Sequence, residues 1–197
     1  MFLFGINFSC YYLLLVRHVK EVLKDQELRL YIIIFVVSIL LITFNIRGLY
    51  GSWEETIRHA AFQVSSIMTT TGFASTDFDL WPGFSKALLL CLMFVGACAG
   101  STGGGIKVSR ILILLKTVKK ELIQLLHPRS VRRIQIDGKA IEHEVVRSTN
   151  VYMGVYIFIF AFSMLLIALN NFDLITNFSA VAATLNNIGP GLSLVGP

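Results

Sequence analysis

The stretch HAAFQVSSIMTTTGFAST (residues 59–76) carries no charge, yet it is too rich in serine, threonine and glutamine to suit a helix surrounded by lipid. It lies in a chain of 197 residues, 55% hydrophobic and only 15% charged, with a mean hydropathy of +0.71. Soluble domains carry about 25% charged residues, so the composition is that of an integral membrane protein. The net charge of +5 is spread beside apolar stretches. It does not gather into one basic stripe, which excludes nucleic acid as a partner. Cys10, Cys91 and Cys98 all fall in apolar stretches and read as small hydrophobes, not as a disulfide or metal set.

Whether residues 59–76 cross the membrane decides the topology. A helix needs about 20 apolar residues to cross a core of about 30 Å. Leu30–Ile46, Ala87–Ile106 and Ser148–Phe172 meet that need, each bounded by charge, and Met1–Val16 reads as the end of a further helix. No basic segment precedes residues 1–16 and no small-residue cleavage site follows, so no secretory signal is recognisable. If neither 59–76 nor 174–197 crosses, residues 17–29 with four Lys/Arg and 107–147 with ten share one side. Only Arg47, Arg58 and Lys86 remain opposite. If 59–76 crosses, the block with ten lands outside, against the positive-inside rule. Residues 53–76 are therefore expected to dip in and return to the outer face. Non-helical backbone at membrane depth survives only where protein covers it or water reaches it. A short helix over Trp53–Met68, then an extended Thr69-Thr70-Thr71-Gly72-Phe73, fits that requirement. Gly72 permits conformations that align successive carbonyls, which can replace the water shell of a monovalent cation. A plain outer loop with a buried glycine turn is the alternative.

A shift of 117 residues lays FQVSSIMTTTGFA (62–74) on SAVAATLNNIGPG (179–191), Gly72 on Gly189 and Thr70 on Asn187. Each copy is a span, a turn, a helix of small residues and a polar extended element ending in glycine. Parallel repeats point to a pore about an axis normal to the membrane.

TTTGFAS (69–75), GACAGSTGGGIKVSRILILLK (96–116) and NNIGPGLS (186–193) together resemble the Trk/Ktr/HKT family of potassium transporters, in its bacterial TrkH type. They are similar to its third filter, its interrupted third-repeat inner helix and its fourth filter; GINFSCYY (5–12) resembles the end of the second repeat's inner helix. The resemblance covers essentially the whole chain. It implies an all-α membrane protein of repeated span, pore helix, filter and span. On that reading residues 1–29 end a preceding inner helix and link to the next unit, and 30–127 form the third repeat. Residues 128–148 form a cytoplasmic loop, and 149–197 an incomplete fourth repeat. It also implies K⁺ held by backbone carbonyls of Thr70, Thr71, Gly72 and Phe73 and of Asn187, Ile188, Gly189 and Pro190. No covalent cofactor is implied. The implied partners are membrane lipid, a second copy in a homodimer of the full-length protein, and a TrkA-type nucleotide-binding ring on the cytoplasmic side of a bacterial inner membrane. Two filters of four are present, so the chain is expected to be the C-terminal part of a longer protein, stopping before the last inner helix.

The segment Gly96–Lys107 admits three readings. As a phosphate loop it fails, because Ile106 stands where lysine is required. Gly96 and Gly100 have the spacing of close helix packing. Three consecutive glycines, each costing about 1 kcal/mol against alanine in a helix, favour a break. By resemblance, Gly100, Ser101, Thr102, Gly103, Gly104, Gly105 and Lys107 form an intramembrane gating loop hinged at Gly103–Gly105.

Beyond it, Ile111, Leu112, Leu115, Val118, Leu122 and Leu126 recur at helical spacing, Pro128 ends that helix, and Asp137-Gly138 reads as a turn. The basic face suits anionic lipid or a docked partner. His143-Glu144-Val145-Val146-Arg147 lacks the second histidine of a zinc protease motif. Glu54, Glu55, Asp77, Asp79 and Asp173 are candidates either for a cation-attracting mouth or for ordinary loop solvation. The rival class is a polytopic membrane enzyme acting on a lipid or isoprenoid, which needs acidic or histidine residues inside the membrane; the apolar stretches offer none.

Overall fold

In the computed structural model, which describes residues 1–127 and 133–197, the regular structure is helical apart from one short hairpin. The proposed stop at Pro128 lies outside the described residues. Among the described residues two helices are long and apolar enough to cross a membrane: α3 (Gln26–Ile46), extended by a 3₁₀ turn to Leu49, and α7 (His143–Ala168). At 1.5 Å per residue they measure about 32 and 39 Å. Their outward faces, with Phe44, Phe158 and Leu165 each about two-thirds exposed, meet lipid, where exposed apolar side chains are at no disadvantage.

Ahead of α3 lie α1 (Phe8–Leu15) and α2 (Val19–Lys24). Residues 1–16 are not the single helix expected. A 3₁₀ turn at Phe2–Gly5 is followed by extended Ile6, and the Asn7 side chain accepts the Ser9 N–H to start α1 afresh. The reason is tertiary: Gly5 O accepts the Cys98 N–H (2.9 Å) and Phe8 N–H donates to Gly100 O (3.1 Å), so backbone groups a helix would use are taken by a distant loop.

α4 (Trp53–Met68) begins as its sequence dictates, with Ser52 accepting the Glu55 N–H and two glutamates in the first turn, where the helix dipole favours them. It is 16 residues, about 24 Å, too short to cross. It packs its Ala60, Val64, Ile67 and Met68 face against α3 and α5 (Gly83–Val95), all four side chains being buried. After Met68 the chain returns to the end it left: Gln63 Nε2 donates to Thr76 O (2.9 Å), His59 meets Ser75 Oγ (3.0 Å), and Tyr50 OH lies 3.4 Å from Thr76 Oγ1. Trp81 Nε1 donates to the same Tyr50 OH at 3.0 Å.

The expected span Ala87–Ile106 is also not one helix. α5 stops at Val95 after 13 residues, about 20 Å, and helix resumes only at α6 (Val108–Leu126). A hairpin, β1 (Gln135–Ile136) with β2 (Lys139–Ala140), follows, pairing Gln135 with Ala140 across the Asp137-Gly138 turn; both turn residues have positive φ. α7 then leads to α8 (Leu174–Leu185), a 12-residue helix packed on α7 and α5.

The ends of the spans sort by charge. Gln26 N–H donates to Asp137 Oδ1 (2.9 Å) and Lys116 Nζ to Gln26 Oε1, so the start of α3, α6 and the hairpin share one end. Tyr50, Thr76 and Trp81 mark the other.

Candidate functional site

α4 and α8 end in the same way, bond for bond, 117 residues apart. Thr69 N–H donates to Ser65 O (3.0 Å), Thr70 to Ile67 O (3.1 Å) and Thr71 to Ser66 O (2.8 Å). Asn186, Asn187 and Ile188 repeat these bonds to Ala182, Thr184 and Ala183 at 3.2, 3.1 and 2.8 Å. Thr70 (φ +53°) and Asn187 (φ +57°) are both left-handed, as are Gly72 (φ +79°) and, in a wider conformation, Gly189 (φ +110°). Asparagine tolerates that region; threonine, branched at Cβ, does so at a cost of about 1–3 kcal/mol. The offset found in the sequence is thus a match of backbone geometry.

The two turns touch. A Cβ on Gly72 would strike Ile188 O and lie 3.6 Å from Pro190 Cδ, so only glycine lets these strands of chain approach. Thr71, Phe73, Asn187 and Gly189 are exposed, whereas Thr69, Asn186 and Ile188 are buried. Thr69 Oγ1 lies 2.7 Å from Thr71 Oγ1 and donates to Ser65 O. Asn186 is held from another helix, its Oδ1 accepting from Tyr156 OH of α7 at 2.8 Å.

Residues 96–107, between α5 and α6, lie against both turns. Gly104 N–H donates to Thr70 Oγ1 (2.9 Å), and a Cβ on Gly104 would strike Asn186 O. A Cβ on Gly103 would lie 2.6 Å from Ala97 Cβ and 3.4 Å from Thr69 O. Ser101 Oγ donates to Cys98 O (2.6 Å), Thr102 Oγ1 to Phe4 O (3.3 Å) and Lys107 Nζ to Gly103 O. Gly96, Gly100 and Gly105 have φ near +70°, and Lys107 +80°. The break therefore opens at Gly96, seven residues before the triple glycine. Gly96 and Gly100 are out of helix, so they form no helix-packing face.

Three contacts escaped sequence reasoning. Glu27 Oε1, on α3, accepts the N–H of Ala99 (2.6 Å) and of Ser109 (3.0 Å). The Arg110 guanidinium lies 4.2 Å above the Tyr152 ring, tying α6 to α7. Tyr156 reaches Asn186. A lone glutamate in the first turn of an apolar helix was the one available signal. Three of the five acids proposed for a mouth are engaged: Asp77 accepts the Asp79 N–H, Asp79 faces Lys86 at 3.5 Å, and Asp173 accepts from Thr176. Hydrogen bonds from the Thr176 hydroxyl and N–H hold the Asp173 carboxyl below its ordinary value. Among the described residues no group of three or more His, Cys, Asp or Glu side chains could hold a metal ion.

Long apolar helices with exposed apolar faces, shorter helices packed against them, and an unwound stretch between α5 and α6 define a multi-pass helical membrane protein. Residues 1–194 match the family model described as TrkH, cation transport protein. The chain is 40% identical over 196 residues to the Trk system potassium uptake protein TrkH of Escherichia coli K12, covering 98% of this chain and 40% of that one. With the TrkH of Vibrio parahaemolyticus it shares 43% over 182 residues, 90% of this chain and 37% of that protein. The crystal structure of the potassium transporter TrkH from Vibrio parahaemolyticus superposes with a TM-score of 0.89 at 39% identity, over 98% of this chain and 42% of that one. The chain belongs to the TrkH family of cation transport proteins, in a bacterial inner membrane. It spans about two fifths of the length of the relatives it matches. Membership of a transport family leaves the lipid-enzyme alternative without support.

Proposed function

We propose that this chain forms two of the four walls of a potassium-selective pore. Residues 30–127 and 149–197 act as successive units of span, pore helix and filter, and 128–148 as the cytoplasmic connection. Backbone carbonyls of Thr70–Phe73 and Asn187–Pro190 replace the water shell of a dehydrated K⁺. The observation that carries this reading is the matched pair of helix ends, each closing on a left-handed residue and a positive-φ glycine, and meeting at Gly72 and Ile188. A helix that stops short of crossing needs water or protein around its end, and a cation pathway supplies the reason to build that twice.

Residues 100–107 gate the pathway from below. Their support is position: Gly104 is bonded to Thr70 and pressed on Asn186 O, so the loop lies directly against both turns. The full-length protein works as a homodimer, with a TrkA-type nucleotide-binding ring on the basic end formed by α2, α6 and the hairpin. The relatives are named for potassium uptake, which agrees with K⁺ as cargo.

K⁺-uptake complementation by the full-length protein tests the reading. Gly72→Ser and Gly189→Ser are expected to lose K⁺ preference over Na⁺, and Gly104→Ala to change opening at unaltered preference. Unchanged K⁺/Na⁺ discrimination in both serine variants would remove those glycines from the pathway.

A further inference from the structure

We infer that Glu27 is the positioning residue that fixes the interrupted segment beneath the two turns, a role that rests on the gating reading of residues 100–107. α6 starts without a cap of its own: Lys107 stands at its N-cap with φ +80° and no side-chain bond to the helix. Four N–H groups at a helix start need acceptors, and Ser109 finds one on a different helix, in Glu27 Oε1 at 3.0 Å. The same oxygen takes the N–H of Ala99, 2.6 Å away, from the other end of the break. One carboxylate oxygen thus clasps both ends of an unwound segment, and it also sets a negative charge against the α6 N-terminus, where the dipole favours it.

The clasp sits on a rigid base. Glu27 occupies the first turn of α3, whose own start is capped by Asp25 Oδ1 accepting the Leu28 N–H at 2.9 Å. Between the two clasped ends run the loop's own contacts with the turns: Gly103 against Thr69, and Gly104 on Thr70 and Asn186. Releasing Glu27 removes one hold from each end at once. Cys98, next to the clasped Ala99 and only 1% exposed, reports that release directly.

The test uses the full-length protein with every cysteine but Cys98 replaced by serine, in vesicles, and reads Cys98 alkylation by a maleimide together with K⁺ flux. Glu27→Ala is expected to speed alkylation by about tenfold or more, the factor that losing a hydrogen bond to a charged acceptor gives. It is also expected to raise basal K⁺ flux with K⁺/Na⁺ preference unchanged. Glu27→Gln keeps an acceptor oxygen and is expected to fall between wild type and alanine. Ser109→Pro deletes one clasped N–H at a helical position where proline is tolerated; its effect on alkylation should be largely absent when Glu27 is already alanine, the non-additivity of a shared contact. Wild-type alkylation and flux in Glu27→Ala, or full additivity with Ser109→Pro, would overturn the clasp. If wild-type vesicles pass no K⁺, the transport reading fails instead, while the alkylation rates still decide the clasp.

Discussion

Thr70 carries a branched side chain at φ +53°, and its Oγ1 accepts the Gly104 N–H at 2.9 Å. The two facts oppose each other energetically. The left-handed conformation costs about 1–3 kcal/mol for such a residue, while leaving a part-buried N–H unpaired costs about as much. Asn187, its counterpart 117 residues on, meets the same backbone demand with a residue that suits it. Threonine at 70 is therefore kept for its hydroxyl, not for its conformational ease. Thr70→Val preserves shape and strain but removes the acceptor, and is expected to lower stability by about 1–3 kcal/mol. Thr70→Asn relieves strain and offers an acceptor, and is expected to be neutral or stabilising. Thermal unfolding of the detergent-solubilised full-length protein measures both; a Thr70→Val Tm equal to that of the wild type, which shares its strain, would show that the Gly104 bond contributes nothing.

At the scale of elements, helices were legible where their signals are local. α4 matches Trp53–Met68 because Ser52, two glutamates in the first turn and a run of threonines after Met68 lie within the element or next to it. The break after α5 was legible only in part. The triple glycine marks it, but its upper edge at Gly96 and the interruption after Gly5 depend on bonds between residues 5–8 and 98–100, more than 90 positions apart. No window of sequence contains such a pairing. The clasp by Glu27 was hidden for the same reason, since a glutamate near a helix start reads as ordinary dipole complementation. α8 shows the local kind again: Asp173 accepts the Thr176 N–H at 3.0 Å and the Thr176 hydroxyl as well. These bonds favour the ionised carboxylate, so its folded pKa lies below the ordinary 3.8. A depressed carboxyl contributes stability that is complete above its unfolded value and is lost as pH falls through the folded one. The Tm difference between wild type and Asp173→Ala should accordingly hold steady from neutral pH down to about 4 and shrink below it. A difference that grew on acidification would remove Asp173 as the cap.

For the whole molecule, charge and geometry agree on one orientation. The start of α3 is tied to α6 and to the hairpin through Gln26, Lys116 and Asp137, which joins the two segments that between them hold fourteen of the seventeen Lys/Arg. Placing that end in the cytosol satisfies the positive-inside rule and puts Tyr50, Thr76 and Trp81 outside. The hairpin of α4 then enters from the outer face and leaves by it, held shut by Gln63 and His59. If α4 and the turn crossed instead, residue 80 would share the cytosol with residues 17–29, and residue 139 would lie outside. Single cysteines decide between these arrangements. With every other cysteine of the full-length protein replaced by serine, Leu80→Cys, at a position 78% exposed, is expected to react with a membrane-impermeant maleimide on intact cells. Lys139→Cys, on the exposed hairpin, is expected to react only after permeabilisation. Labelling of position 80 from the cytosolic side alone would end the hairpin interpretation, and the matched turns could no longer face one pathway from outside.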